Sequence, residues 1–266
     1  MFCDIHNHLL PAVDDGSQSL EESLCMIDHA LEAGISHICA TPHVTAYTSE
    51  MSIQQHHIQV YNNLISEIEK RSIPLKLDVG CELYFTSEFS EVAVNPIFRY
   101  RQTSNFCLVE LPPTEAPPWF ADICFSLIMN GVQVVLAHPE RNMALLRNPF
   151  MLAKYIRTGI HTQVTAGSLV GKYGNEIQEF AQRIVKSNAC TIVACDAHDT
   201  IRRPFSDIKP AYEELCLSVG TMIANRLCTE NPYKILQGND VHHLPFGDDE
   251  EQTLMRPKKK KKFLFF

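Results

Sequence analysis

Short runs of apolar residues alternate along the chain with longer segments in which apolar positions recur every three or four residues. The short runs are typical of buried strands, and the longer segments are typical of amphipathic helices. The predicted strands lie at residues 2–6, 37–41, 76–81, 106–111, 133–137, 161–165 and 191–195. Because helical segments lie between most of these strands, we expect the strands to run parallel.

The clearest predicted helix follows the first strand. Ser19 and Glu22 have the spacing of a capping box, and Gly34 is placed to end the helix. Its apolar stripe consists of Leu20, Leu24, Ile27 and Leu31. Further helices are predicted at residues 53–71, 119–130, 149–158, 175–188 and 209–224. This order of elements is typical of an α/β domain.

Residue types that bind metal ions stand at or just beyond the end of nearly every predicted strand. They are His6, His8, His43, Glu82, Glu110, His138, Asp196 and His198. The sixth strand is the exception, because it offers only Thr165. One such placement is common, but its repetition indicates that the side chains meet at one rim, where the carboxyl ends of parallel strands gather. The pattern therefore predicts a metal-centred site.

The number of these residues predicts more than one ion. Two further acids, Asp14 and Asp15, follow the first strand, where they fit either a turn before a helix or a ligand. The eight strand-end groups exceed the roughly four ligands of a tetrahedral ion. We therefore expect two or three divalent ions that share carboxylates. Manganese, iron and zinc all accept mixed imidazole and carboxylate ligands.

The fold that best accommodates these ligands is a single, distorted (β/α)7 barrel, with its active site at the carboxyl ends of the strands. An open doubly wound sheet would concentrate its ligands at one switch point. The domain is expected to span residues 1–247. The acidic block and lysine run at 248–266 are expected to form a charged, disordered tail, with binding to an anionic membrane surface as the alternative.

Composition narrows the class of protein. The chain is 45% hydrophobic and 20% charged, as expected for one sizeable soluble domain. It lacks the roughly 18 consecutive apolar residues of a membrane span and a signal-peptide pattern, so we expect a cytoplasmic protein without an integral membrane segment. Without the lysine run at 258–262 the charge balance is 18 − 31 = −13. Such an acidic body argues against a nucleic-acid partner.

The ten cysteines are expected to be reduced. Cys3, Cys39, Cys107 and Cys195 lie inside apolar strand-like runs, which favours buried thiols over disulfides. None of the ten is followed by an arginine at the spacing of a thiol phosphatase loop, so a cysteine nucleophile is disfavoured.

Arginines near the predicted rim suit a phosphate substrate, since a planar guanidinium grips two phosphate oxygens. Arg141 follows His138 by three residues, and Arg202 and Arg203 come shortly after His198. A surface salt bridge is the alternative role for any one of them. Divalent ions that share ligands activate water for attack on phosphorus, so phosphate ester hydrolysis is the predicted chemistry.

The motifs "DIHNHLLPAVDDG", "ATPH", "GCELYF", "AHPERN" and "CDAH" followed by "RRP" resemble those of the PHP (polymerase and histidinol phosphatase) superfamily. Within it they resemble the capsule-type bacterial protein tyrosine phosphatases, from Phe2 to about Gln237. The resemblance implies a trinuclear centre, usually manganese, and hydrolysis of phosphotyrosine. The implied protein substrate is a tyrosine autokinase that controls capsule or exopolysaccharide synthesis.

The resemblance also implies the ligand of each ion. His6, His8, Glu82 and Asp196 would hold the first ion, and Glu82 would bridge to a second ion held by Glu110 and His138. A loop aspartate, with His43 and His198, would hold the third. Asp15 is favoured over Asp14. Arg141 and Arg203, but not Arg202, match the arginines that grip phosphate.

Two other functions remain open at this level. One is a small-molecule phosphoesterase of the same superfamily, such as a histidinol phosphatase. The other is a non-catalytic module that binds a kinase. A separate hypothesis concerns the proline-rich loop after Glu110, from which Trp119 and Phe120 are expected to border the entrance to the site.

Overall fold

A computed structural model of the protein describes residues 1–44, 50–241 and 244–256. Its strands are β1 (Phe2–Asp4), β2 (Ile35–Ala40), β3 (His43–Val44), β4 (Lys76–Val79), β5 (Glu82–Tyr84), β6 (Phe106–Glu110), β7 (Gln133–Ala137), β8 (His161–Thr165) and β9 (Ile192–Ala194). The helices in the first half are α1 (Leu20–Glu32), α2 (Glu50–Lys70), α3 (Phe89–Ala93) and α4 (Phe120–Met129). Those in the second half are α5 (Met143–Arg147), α6 (Pro149–Arg157), α7 (Ala166–Leu169), α8 (Asn175–Lys186), α9 (Ile208–Val219), α10 (Thr221–Asn225), α11 (Asn231–Gln237) and α12 (Asp248–Met255).

The strands form two parallel sheets, in the orders β1-β2-β4 and β3-β5-β6-β7-β8-β9. β2 and β3 are close to being one strand, as are β4 and β5. The backbone pairing of β2 with β4 continues into that of β3 with β5. The N–H of Gly80 donates to the carbonyl of Ala40 at 2.8 Å, and the N–H of Glu82 donates to the carbonyl of Pro42 at 3.0 Å. Each of the seven predicted strands therefore has a counterpart in the structure.

The first and last strands approach each other beyond their regular ends. Asn7 and Ala197 form an isolated parallel bridge, and the N–H of Asp196 donates to the carbonyl of His6 at 2.7 Å. Asp4 adds a side-chain link, because its carboxylate accepts from the N–H of Cys195 at 2.6 Å. The mixed α/β fold with parallel strands is confirmed. Over the part of the chain that the structure describes, the strands do not form a closed barrel, so the (β/α)7 barrel stays a prediction.

Both faces of β6 and β7 are buried, which explains why the sequences of these two strands are mainly apolar. In β6, Leu108 belongs to a cluster between the strands, while Cys107 and Val109 on the opposite face belong to the larger cluster under the helices. The four cysteines of the predicted strands are buried, and all ten cysteines are free thiols, as expected. Among the described helices, none has the length and apolar character needed to cross a membrane.

The structure differs from the predicted tail over Asp248–Met255, which forms helix α12. Leu254 is fully buried, and its carbonyl accepts from Nη1 of Arg183 on α8 at 2.9 Å. On the other side, Glu251 accepts from Nη2 of Arg157 on α6 at 2.6 Å. One buried leucine and these polar contacts attach the acidic block to the rest of the protein, so the expected disorder does not hold for this helix. The boundary at residue 247 stays a prediction. The lysine run lies outside the described residues.

Candidate metal centre

The nine residues predicted to bind metal lie together at the carboxyl ends of the strands. Within the described residues, four overlapping groups have ligand atoms within 4.8 Å of one another: His8, Asp15, His43 and His198; His6, His138 and Asp196; His6, His8 and Glu82; and His43, Glu82 and Glu110. Strand register brings some of them side by side, since His43 on β3 pairs directly with Glu82 on β5. Residues far apart in sequence thus form one cluster.

Glu82 lies at the centre of the cluster and is almost fully buried. Its Oε1 is 3.2 Å from Nε2 of both His6 and His138. Its Oε2 is 3.1 Å from Nδ1 of His43 and 3.4 Å from Nε2 of His8. One carboxylate is therefore shared by four imidazoles, an arrangement that suits a bridge between cations.

Asp196 presents its two carboxylate oxygens to different partners. Oδ1 lies 3.4 Å from Nε2 of both His6 and His8. Oδ2 accepts hydrogen bonds from the guanidinium groups of Arg141 and Arg203. Both arginines therefore reach the edge of the histidine cluster, as the sequence predicted.

Asp14 and Asp15 occupy distinct positions. Oδ1 of Asp15 is 3.4 Å from Nε2 of both His43 and His198, at the exposed side of the cluster. Asp14 lies behind it and accepts a 2.6 Å hydrogen bond from Nδ1 of His8. Asp14 also accepts from the N–H groups of Gly16 and His43, each at 3.0 Å. The geometry thus favours Asp15 as a ligand and Asp14 as the residue that orients His8.

The loop that carries these acids folds closely over the first strand. The N–H of Ser17 donates to the carbonyl of His8 at 3.1 Å. A Cβ at Gly16 would lie 2.1 Å from that same carbonyl oxygen, so a side chain is excluded at this position. Gly16 therefore allows both acids to approach the histidines.

The backbone turns sharply at two of the candidate ligands. His138 and Asp196 have φ angles of 30° and 51°, and each directly follows a strand or its extension. Left-handed backbone is uncommon for residues with a Cβ, and it clusters at functional sites. In both cases the turn places the side chain against Glu82 or the neighbouring histidines.

Several polar atoms of the cluster are buried without a hydrogen-bond partner. These atoms are Nε2 of His6, His8 and His198, Oε2 of Glu82 and Oδ1 of Asp196. Unpartnered buried polar atoms are costly and rare in folded proteins. Here they face one another, and imidazole nitrogens with carboxylate oxygens are a donor set that divalent metal ions accept. The residues present therefore fit a metal centre.

The carboxylates of the cluster have opposite pKa shifts. Burial alone would raise the pKa of Glu82, but His6, His138 and His43 around it hold that pKa well below its usual value. For Glu110, burial and the neighbouring charge of Glu82 raise the pKa to about 7. Glu82 is thus a strong anion at the centre, and Glu110 at the edge carries the weaker negative charge.

Two histidines are held in the neutral form that binds metals. Burial and the nearby Arg141 lower the pKa of His138 to about 4. Burial and the proximity of His8 lower the pKa of His198 to about 3. The Nδ1 of His198 lies 3.0 Å from the carbonyl oxygen of Asp196. A proton on Nδ1 there leaves Nε2 available on the side of Asp15.

The two phosphate-binding candidates are positioned by their surroundings. The guanidinium of Arg141 lies over the ring of Tyr173, 4.9 Å from its centroid. Arg203 follows a tight loop in which Asp199 accepts from the N–H groups of Ile201, at 2.6 Å, and Arg202, at 2.5 Å. The side chain of Arg202 is exposed, so only Arg203 of this pair contacts the cluster.

Gln163, which is fully buried in β8, was not among the predicted site residues. Its Oε1 is 2.8 Å from Nδ1 of His6 and accepts from the N–H of His138 at 3.1 Å. The available signal was its position in the predicted strand at 161–165, two residues before Thr165 and therefore on the same face. The sixth strand therefore contributes to the site without supplying a metal ligand candidate.

The hypothesis that Trp119 and Phe120 border the entrance is wrong for Phe120. Its side chain is fully buried, with its ring packed against Phe85 and Tyr155. Trp119 is 44% exposed and packs on Phe85 at a centroid distance of 4.9 Å. The small cavity beside Glu110 and Arg141 is lined instead by Leu111, Pro113, Leu136, Ala137, His138, Pro139 and Asn142.

Known proteins match this chain over nearly all of its described domain. The family profile of capsular polysaccharide synthesis proteins, CpsB/CapC, matches residues 2–237. The chain belongs to the CpsB/CapC family. CapC of Staphylococcus aureus is 33% identical over 220 residues, which cover 80% of this chain and 86% of that protein. The tyrosine-protein phosphatase YwqE of Bacillus subtilis is 30% identical over 244 residues, 91% of this chain and 94% of that protein.

A crystal structure of related proteins has a fold similar to that of this chain. It comes from work on YwqE from Bacillus subtilis and CpsB from Streptococcus pneumoniae, described as metal-dependent tyrosine phosphatases. The TM-score is 0.84 at 30% identity, covering 91% of this chain and 97% of that chain. The family resemblance drawn from the sequence motifs is therefore confirmed. The predicted enzyme class agrees with the description of these relatives as metal-dependent tyrosine phosphatases.

Proposed function

We propose that this protein is a metal-dependent phosphatase that removes phosphate from tyrosine side chains of a protein substrate. The observation that carries the proposal is the group of buried, unpartnered imidazole and carboxylate atoms that face one another beside Arg141 and Arg203. The tyrosine phosphatase relatives in the CpsB/CapC family support the same reaction.

Two or three divalent ions are proposed, most simply manganese, with iron and zinc as alternatives. His6, His8, Glu82 and Asp196 would hold the first ion. Glu82, Glu110 and His138 would hold the second, and Asp15, His43 and His198 the third. When bound, such ions lower the pKa of water and neutralise charge on phosphoryl oxygens. The four overlapping groups of ligand atoms support more than one ion, because a single ion cannot use all nine residues.

The arginines would bind the phosphoryl group of the substrate. Arg141 and Arg203 both reach the outer oxygen of Asp196, so their guanidinium groups are directed to one place at the edge of the cluster. There they would orient the phosphate and offset the negative charge that develops on its oxygens. The ring of Tyr173, which lies under the guanidinium of Arg141, would hold that group in position for this contact.

Phosphotyrosine has a leaving group that needs little protonation. A phenolate has a conjugate acid with a pKa of about 10, so it departs with less protonation than an alkoxide. We propose as substrate a bacterial tyrosine autokinase that regulates capsule or exopolysaccharide synthesis, in line with the family to which the chain belongs. The cytoplasm is the proposed compartment, supported by ten free thiols.

We also propose that the strands approximate a distorted (β/α)7 barrel. The support is the bridge between Asn7 and Ala197, together with the hydrogen bond from Asp196 to His6. These contacts join the first and last strands next to His6 and Asp196. Residues 1–247 would form the enzyme body, extended by helix α12.

Elemental analysis paired with an aryl phosphatase assay, before and after chelation, tests the function. We expect two or three manganese ions per chain, loss of phosphotyrosine peptide hydrolysis on chelation, and recovery when manganese is restored. His6→Ala should abolish turnover, whereas His29→Ala on α1, outside the cluster, should leave it unchanged. Full activity after complete metal removal would refute the proposal.

The same assay separates the two alternatives. A histidinol phosphatase would hydrolyse histidinol phosphate far faster than a phosphotyrosine peptide, and we expect the opposite preference. A non-catalytic kinase-binding module would contain metal yet hydrolyse no phosphate ester.

A further inference from the structure

The amide of Gln163 sits behind the candidate metal centre and contacts two of its histidines. Gln163 is fully buried on β8, and in the parallel register it lies beside Ala137, the residue before His138. Its Oε1 is therefore close both to the backbone N–H of His138, at 3.1 Å, and to Nδ1 of His6, at 2.8 Å. Its Nε2 is 3.5 Å from Oγ1 of Thr165.

These contacts settle the orientation of the amide. A backbone N–H can only donate a hydrogen bond, so the group that faces the N–H of His138 must be the amide oxygen. The amide oxygen can only accept, so the hydrogen between it and His6 must be on Nδ1 of the imidazole. The lone pair of neutral His6 is consequently on Nε2.

The nitrogen that carries this lone pair, Nε2 of His6, faces the carboxylates of the candidate metal centre. Nε2 of His6 lies 3.2 Å from Glu82 and 3.4 Å from Asp196, and it is buried without a hydrogen-bond partner. A histidine that binds a metal through one nitrogen commonly donates its other ring N–H to an oxygen, which fixes both tautomer and ring orientation. Gln163 supplies that oxygen from a strand that carries no candidate ligand.

We infer that Gln163 is a positioning residue that orients His6 and the backbone of His138 together, and so couples the ligands of two proposed ions. His138 needs such support because its φ of 30° is unfavourable for a residue with a side chain. The inference rests on the metal centre of the proposed function. It adds a residue, outside the predicted ligand set, whose loss weakens metal binding without removing a ligand.

The test compares three variants of the full chain by manganese titration against a chelator of known affinity. Gln163→Met keeps the length of the side chain and removes the acceptor, and we expect roughly 10- to 100-fold weaker manganese binding. Gln163→Glu keeps an oxygen for both contacts and should retain tight binding. Gln133→Met is the matched control, because Gln133 also meets a histidine ring, His161 at 3.3 Å, at the far end of β7.

A second readout reports on the ring itself. In zinc-loaded wild type, the Nδ1 proton of His6 should exchange slowly with solvent in NMR spectra, and Gln163→Met should accelerate that exchange while Gln133→Met should not. If Gln163→Met does not fold, Gln163→Asn, which withdraws the amide by one methylene, replaces it with the same expectation.

The outcomes distinguish this inference from the proposed function. If wild type binds no metal, the proposed function fails. If wild type binds metal and Gln163→Met binds it equally well, the inference about Gln163 alone is overturned. Equal weakening by Gln133→Met would also overturn it, because the effect would then be one of general stability.

Discussion

The carboxylate of Asp14 accepts a hydrogen bond of 2.6 Å from Nδ1 of His8. Burial would raise the pKa of Asp14, but His8 and the N–H groups of Gly16 and His43 hold that pKa well below its usual value. The adjacent Asp15 is largely exposed and directs Oδ1 between His43 and His198. Two neighbouring acids in one loop thus have separate partners, His8 for Asp14 and the pair of His43 and His198 for Asp15.

Alanine at each of the two positions should separate their proposed roles, orientation of His8 for Asp14 and ligation for Asp15. Asp15→Ala is expected to remove about one ion per chain in elemental analysis, with no change in the melting temperature of the chelated protein, because the side chain is exposed. Asp14→Ala should lower the free energy of unfolding of the chelated protein by about 1 to 3 kcal/mol, since buried His8 loses its partner. Reversed results would exchange the two assignments.

Lysine substitutions test whether Arg141 and Arg203 bind the phosphate group of the substrate. Arg141→Lys and Arg203→Lys keep the charge but lose the planar fork, so each is expected to lower kcat/KM for an aryl phosphate roughly 10- to 100-fold. Arg202→Lys is the matched control from the same loop, where the side chain is exposed and no effect is expected. Equal losses at Arg202 and Arg203 would contradict the assignment.

Helix α12 is expected to stabilise the domain without taking part in catalysis. Leu254→Ala removes a fully buried side chain and should lower the free energy of unfolding by about 2 to 5 kcal/mol in denaturant titrations. Turnover at temperatures well below unfolding should stay at the wild-type value. Leu217→Ala, at a position that is 85% exposed on α9, serves as the control. An unchanged midpoint for Leu254→Ala would show that the helix is not attached in solution.

His57 on α2 is expected to make the protein sensitive to acid. Burial lowers the pKa of its imidazole from 6.5 to about 4, and Nδ1 lies 3.1 Å from Oε1 of Gln54. Between these two pH values the unfolded chain binds a proton that the folded chain does not. The stabilising contribution is therefore present above pH 6.5 and is lost as the pH falls through that window.

Replacing His57 with glutamine measures this contribution. Urea unfolding of the chelated protein between pH 7 and pH 4 should show wild type losing up to about 3 kcal/mol more than His57→Gln over that range. His56→Gln, an exposed neighbour on the same helix, should follow the wild-type curve. Parallel curves for His57→Gln and wild type would refute a neutral, buried His57.

The sequence by itself determined the elements and the ligand types. Strand and helix periodicities are local properties, so the predicted segments 133–137 and 161–165 coincide with β7 and β8. Parallel strands end at one edge, which is why residues as distant in sequence as His6 and Asp196 were expected to meet. Their ligand atoms now lie 3.4 Å apart.

Tertiary structure decided what depends on neighbours that are remote in sequence. The family resemblance favoured Asp15 over Asp14 as a ligand, but the different partners of the two acids became clear only in the folded loop. Gln163 became part of the site because β8 lies beside β7. The acidic block forms α12, in which Leu254 packs into the main apolar cluster of the protein. Each of these outcomes rests on packing and hydrogen bonds between separate elements, which no local pattern encodes.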